Sequence, residues 1–295
     1  MSDRPTISIR TVPSHLGRRR LVNTIMLGIT GALAVAAVIP LVWIVAHVAA
    51  EGARFISPTF FTDVPKPVGV SGGGIGNAIV GSAIVVGIAC VIAVPVGIAA
   101  AIYSYDNATR PLGIVIRFST DVLSGIPSII MGIFAYAVVV VPQGHFSALS
   151  GGFALAVIML PIVLRTAEEM LNLVPRSLRE GALALGAPRW RTSLRVLLPA
   201  AMSGVVTGIM LGISRVAGEA APMIFTAFGN PFYAADITQP MATLPHTIFV
   251  YAISPYKDLH DKAWTTALVL IVLVLGLNLA ARLFTRWRLK KMGWK

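Results

Sequence analysis

EGALALGAPRWRTSLRVLLP, residues 180–199, is the stretch on which the reading of the whole chain turns. It is basic, helix-prone and set between two long apolar runs. Leu178 to Leu185 suits a short helix, with Ser177 at the cap position and Glu180 three residues on, the spacing of a capping box. Gly186 can take the left-handed conformation that ends a helix. Pro188 suits a restart, because its fixed φ matches a first helical position, and Pro199 stands where the next apolar run begins. The small residues Gly181, Ala182 and Ala184 would let such a helix enter a groove on a soluble partner. A loop helix resting on lipid headgroups accounts for the same residues, and local physics does not choose between the two.

The surroundings of this stretch are hydrocarbon-like. Of 295 residues, 56% are hydrophobic and 12% charged, where a soluble domain averages about 25% charged. Mean hydropathy is +0.81. Six apolar runs are long enough to reach across or into a core of ~30 Å: about 21–50, 75–103, 113–141, 150–164 (short), 200–227 and 263–284. In lipid every backbone polar group must be satisfied within the segment, so the expected class is an all-α integral membrane protein of six transmembrane helices. Gly125-Ile126-Pro127 interrupts the third run, since proline removes a backbone hydrogen bond. Cys90 is the one cysteine, which excludes an internal disulfide and reads as an inert apolar-run side chain.

Lysine and arginine set the orientation. Arg4, Arg10 and Arg18 to Arg20 precede the first run. Arg165, Arg176, Arg179, Arg189, Arg191 and Arg195 fall between the fourth and fifth. Arg282 and the tail residues Arg286, Arg288, Lys290, Lys291 and Lys295 close the chain. The segments 51–74, 142–149 and 228–262 carry few basic residues or balance them with acids. The expected layout is a cytoplasmic tail at 1–20, a first transmembrane helix at 21–50, an external loop at 51–74, a core at 75–285 with a cytoplasmic loop at 165–199, and a cytoplasmic tail at 286–295. The net charge of +12 is thus explained by membrane topology. With no aromatic-basic platform, nucleic acid is not an expected partner.

Few residues carry chemistry. Arg215 and Glu219 lie in the fifth run, one helical turn apart. Charge within a membrane faces a partner or a wet cavity. At ~1.5 Å per residue from Ala200, Arg215 lies about 22 Å in, toward the outer half. Its fork can hold two oxyanion oxygens, and Glu219 can steady it. A structural ion pair is the simpler alternative. Arg117 and Asp121 repeat the spacing near the inner interface and read as an ordinary ion pair, and Glu168 and Glu169 serve the loop. The glycine-rich lead-in VGVSGGGIG (68–76) offers a helix N-terminus to an anion, though a flexible connector is the plainer reading. Met241 to Tyr251 is apolar but too short to span, so it suits an interfacial or re-entrant cover for the outer mouth. His145, His246 and His260 lack metal spacing, and the tryptophans suit interfacial anchors. There is no GxxxxGK[ST] loop and no catalytic constellation, so enzyme activity is not expected.

The loop also carries a family pattern. Glu180-Gly181-Ala182, then Gly186, then Val196-Leu197-Leu198-Pro199 resemble the EAA motif of binding-protein-dependent ABC importer permeases, with Gly181 in place of alanine and Val196 in place of isoleucine. GGGIGNAIVGS (72–82), LSGIPSIIMGIF (123–134), SRVAGEAAPMIFTAFGN (214–230) and LPHTIFVYAISP (244–255) are similar to the bacterial phosphate permeases of the PstA type. The resemblance implies a type I importer permease fold in the bacterial inner membrane. Glu180, Gly181, Ala182, Gly186 and Pro199 would belong to the ATPase-coupling loop, and Arg215 and Glu219 to the substrate path or its gate. It also implies a related permease, two ATPase subunits holding ATP and Mg, and an external phosphate-binding protein, with no cofactor on this chain. Another oxyanion such as molybdate or sulfate is the nearest alternative. An ATP-independent channel, a secondary transporter or a non-transporting scaffold fits the docking loop less well.

Overall fold

The computed structural model describes residues 15–291, with side chains described over 17–283. Arg4, Arg10, Trp294 and Lys295, and the side chains of Arg286, Trp287, Arg288, Lys290 and Lys291, lie outside the described residues. Two units are distinguished, Met1–Ala50 and Glu51–Lys295. The first consists of most of helix α1 (His15–Gly52), which passes through Pro40 unbroken. Because α1 starts at His15, Arg18, Arg19 and Arg20 stand in its opening turns and not in a preceding tail.

The second unit contains α2 (Pro58–Thr62), α3 (Gly76–Asp106), α4 (Pro111–Gly125), α5 (Ser128–Ala135), α6 (Ala148–Asn172), α7 (Arg176–Ala184), α8 (Leu198–Val216), α9 (Ala221–Phe225), α10 (Leu244–Ala252) and α11 (Lys257–Lys291). Among the described residues the only β feature is an isolated bridge between Phe228 and Met241. Five helices are long and apolar enough to cross a membrane, and α4 with the segment from Ser128 to Gln143 makes a sixth span bent by 109°. The bend falls at Ile126 and Pro127, both extended, because the residue before a proline is pushed out of the helical region. The fourth span is not short: α6 runs 25 residues, carrying Arg165, Glu168 and Glu169 on the helix, not in the loop.

Two further prolines leave a different mark. A π turn at Tyr136–Val140 precedes Pro142, and another at Ser193–Leu197 precedes Pro199. Proline cannot bond to the carbonyl four residues back and crowds it. A one-residue widening of the helix relieves both problems without ending the span.

α6 is the centre of this unit. Two thirds of its apolar window is buried, against at most 28% for the other unbent spans of the unit. Lipid is as apolar as leucine, so helix association there depends on close approach at small residues. α3 provides them every fourth position: Gly81, Val85, Ala89, Ala93, Gly97 and Ala101 are all buried. It runs parallel to α6, with Val85 and Ile88 against Gly151 and Gly152, and Gly97 against Val163. α8 runs antiparallel to α6 through a second stripe, Gly204, Gly208 and Gly212, which meet Met170, Thr166 and Met159. A side chain at any of these three glycines would strike α6.

Candidate functional site

The loop that opened the sequence reading forms α7 and its sequel. α7 has no buried residue. Its first turn follows Pro175 with no side-chain cap, so the expected cap at Ser177 and its box with Glu180 do not form. Proline at that position imposes the entry geometry by itself. Its other end is as expected. Gly186 has φ +80°, and the N–H of Gly186 and of Ala187 donate to the carbonyls of Leu183 (2.9 Å) and Ala182 (3.1 Å), a Schellman closure. Glu180 and Gly181 are exposed, Ala182 half-buried, and nothing lies within 4 Å of a side chain placed at Gly181. Leu185 is 90% exposed, and Leu178, Leu183 and Trp190 are also exposed. Leucines displayed beside arginines on a protruding helix form a surface that a soluble protein can cover.

Three ion pairs join different helices, one of them through α7 itself. Asp106, the last residue of α3, accepts from Arg179 Nη2 at 2.9 Å and from Ser193 Oγ at 2.6 Å. The Arg179 guanidinium also lies 5.2 Å from the Tyr105 ring centre. Arg117 on α4 bonds through Nε to Glu168 Oε1 on α6 at 2.7 Å, and through Nη2 to the Ser104 carbonyl. Arg165 donates to Asp121 at 2.9 Å. Arg117 and Asp121 therefore do not pair with each other. Each finds an opposite charge across the α4–α6 contact, where i,i+4 spacing has no say. Glu168 is buried, and its Oε2, like the buried Ser104 hydroxyl, has no partner among the described residues.

At the far end of α8 the chain leaves the helix. Arg215 is in the last turn, and α8 ends at Val216. Glu219 lies beyond it in the turn leading to α9, so the two residues do not share a helix face as expected. The turn still brings them together, with Arg215 Nε 3.9 Å from Glu219 Oε1 and side chains 58% and 19% exposed. That distance is an ion pair without a hydrogen bond. The Arg215 guanidinium makes no hydrogen bond among the described residues, so its donor fork is open to an oxyanion. Next to Arg215, Ser214 accepts from Asn278 Nδ2 of α11 at 2.6 Å, a polar tie between spans that no sequence pattern announced.

Glu219 borders a cavity of about 10 Å³ with Ser82 and Val85 of α3, Thr243 and Pro245, about one water position. The Thr243 hydroxyl is buried without a partner. Around it the chain is closed down. The carbonyls of Gln239 and Ile237 accept from Ala148 N–H (2.9 Å) and Leu149 N–H (3.0 Å), satisfying the start of α6. α10 packs between α3 and α11, with the Leu244 N–H donating to Ser82 Oγ at 2.8 Å. The glycine-rich lead-in is tied down where it meets α3. The N–H groups of Ile75 and Gly76 already donate to the carbonyls of Phe60 and Asp63, and Gly76 is pressed against Tyr233. His246, beside Gly229, is held below the ordinary histidine range by burial.

Comparison with known proteins places this geometry. The family described as Binding-protein-dependent transport system inner membrane component matches residues 93–293. The Phosphate transport system permease protein PstA of Yersinia pestis is 43% identical over 265 residues, 90% of each chain. That of Xylella fastidiosa Temecula1 is 44% identical over 276 residues, covering 92% of this chain and 96% of its own. Among solved structures, the inward-facing MetNI methionine ABC transporter matches 72% of this chain and 93% of its own, at TM-score 0.58 and 21% identity. A bacterial alginate ABC transporter matches 95% and 98%, at TM-score 0.59 and 12% identity. These two likenesses are of fold.

Proposed function

Because this chain belongs to the binding-protein-dependent transport system inner membrane components, and within them to the PstA phosphate permeases, we propose that it is the multi-pass permease subunit of an ATP-driven phosphate importer. Its work is transport. ATP hydrolysis, with ATP and Mg, takes place on a separate chain. A PstC-like permease completes the path, two PstB-like ATPases sit against α7, and a PstS-like phosphate-binding protein delivers cargo from outside. Both termini and α7 face the cytoplasm, and the Arg215 turn faces outward.

One observation supports this reading above the others: an arginine at the end of a membrane helix, 58% exposed and unbonded, with its counter-charge 3.9 Å away. A guanidinium so placed can exchange Glu219 for two phosphate oxygens without breaking a hydrogen bond. Closure of the ATPases on ATP would pull α7, open the path outward to receive phosphate, and be reset by hydrolysis.

The test is phosphate uptake by cells carrying Arg215→Lys or Glu180→Ala, with assembly followed by pull-down of the ATPase. Lysine keeps the charge and loses the two-pronged geometry, so uptake falls about ten-fold or more, the equivalent of one charge-assisted hydrogen bond. Glu180→Ala weakens capture of the ATPase. Normal uptake by both variants would overturn the residue assignments. Uptake blocked by sulfate or molybdate, with the cognate binding protein present, would overturn the choice of phosphate.

A further inference from the structure

α7 has no buried residue, yet a helix that is to be pulled must be fixed to what it moves. It is joined by chain to α6 on one side and to α8 on the other. The contact with α3 is of another kind, a cluster around one carboxylate. Asp106 is held on both oxygens, Oδ1 by Arg179 of α7 at 2.9 Å and Oδ2 by Ser193 of the following π turn at 2.6 Å. Its side chain is 12% exposed. The neighbouring ring of Tyr105 backs the same arginine at 5.2 Å, where a cation and a ring face attract. Two residues of α3 thus grip Arg179, the residue before Glu180.

The other end of α3 is tied as firmly. Asn77 Nδ2 donates to the Asn230 carbonyl at 2.7 Å, Ser82 holds the start of α10, and Ser82 and Val85 border the cavity beside Glu219. Between them runs one helix of 31 residues, about 46 Å at 1.5 Å per residue. Val85, Ile88 and Gly97 along it lie against Gly151, Gly152 and Val163 of α6, and Gly81 lies against Ala242, so it moves as a body.

We propose that Asp106 is the positioning residue through which movement of α7 is passed to α3, and along it to the Glu219 turn. This rests on the reading that α7 docks the ATPase. Asp106 is 12% exposed with both oxygens engaged inside the chain, so it acts by making α3 follow α7. The covalent routes through α6 and α8 would still move those spans and Arg215 with them, but α3 and the Glu219 side of the turn would lag.

The test uses the complete importer, with its ATPase, partner permease and phosphate-binding protein, reconstituted in liposomes. The readout is phosphate transported per ATP hydrolysed, alongside ATPase recovery and basal hydrolysis. Asp106→Ala is expected to retain the ATPase and basal hydrolysis while transport per ATP falls at least about five-fold, the lower range of coupling between distant sites. The exchange Asp106→Arg with Arg179→Asp is expected to recover part of that ratio, which general damage would not allow. An unchanged ratio in Asp106→Ala, or no recovery in the exchange while each single variant assembles, would overturn the proposal. Failure of the underlying reading looks different: Glu180→Ala and Leu185→Glu would then leave ATPase recovery intact whatever Asp106→Ala does.

Discussion

Arg117→Ala should be among the most destabilising single changes at the basic end of the core, and the structure says by how much. Glu168 is 5% exposed and Arg117 32%. The pair joins α4 to α6 through one carboxylate oxygen, with Glu168 Oε2 already lacking a partner. Removing the arginine leaves a buried carboxylate with no compensating charge. Breaking such a pair costs about 3–5 kcal/mol, and the partial exposure of Arg117 favours the low end, about 3 kcal/mol. At about 2–4 °C per kcal/mol for a chain of this size, the melting temperature in detergent falls by about 6–12 °C. Arg165–Asp121 is the internal control. It links the same two helices at 2.9 Å, but both side chains are about half exposed, so Asp121→Ala should cost at most about 1 kcal/mol. The double change Arg117→Leu with Glu168→Leu removes charge and counter-charge together and should cost less than the sum of the single changes. The measurement is thermal unfolding followed by fluorescence-detected size exclusion. Equal shifts for Arg117→Ala and Asp121→Ala, or strict additivity in the double variant, would refute the reasoning.

Other predictions concern shape and pH. Gly208→Leu drives a side chain into Thr166 and should lower stability by at least the ~1–3 kcal/mol of ordinary overpacking; Gly87→Leu on α3, with nothing within 4 Å, should be nearly neutral in the same melt. A Cβ at Gly181 has nothing within 4 Å among the described residues, so Gly181→Leu should fold normally and fail only in ATPase capture, scored by pull-down. Gly186→Ala puts a Cβ at φ +80°, costing about 1–2 kcal/mol at the end of α7, and limited proteolysis of the loop should quicken. His246 is held below its ordinary value of 6.5 by burial. An unfolded chain therefore binds the proton first as pH falls, so the stability from the neutral ring is full above about 6.5 and is lost on acidification below it; His246→Gln should flatten melting temperature between pH 7.5 and 5.5.

The fold was legible wherever one residue dictates backbone geometry. Pro127 breaks the third span, Gly186 ends α7 and Pro188 precedes the next helix, because each acts through its own φ or its missing N–H. The glycines of α8 were legible in principle as a four-residue repeat, but only the structure says which helix they face. Side-chain partners across helices were not legible. Arg117 stands four residues from Asp121 in sequence, yet bonds to Glu168, 51 residues away. The end of α8 was misplaced for a related reason. The apolar run continues to Ala227, and hydropathy cannot tell a helix from the tight turn at Ala217–Ala220 that brings Glu219 back toward Arg215.

The contrast among the ion pairs bears on what Arg215 is for. The three interhelical pairs join residues 44 or more positions apart at hydrogen-bonding distance. They hold helices together. Arg215–Glu219 joins neighbours within one turn, at 3.9 Å, with the arginine mostly exposed. Such a pair fixes no two spans and is worth at most about 1 kcal/mol to the fold. A charge kept at the end of a membrane helix without contributing to its packing accords with the role in transport proposed for it. The expected separation is sharp: Arg215→Lys and Arg215→Ala leave the melting temperature within about 2–4 °C of the parent while phosphate uptake falls, whereas Arg117→Ala lowers both. A drop in stability at Arg215 as large as that at Arg117 would return it to the structural pairs and remove the basis of its proposed role.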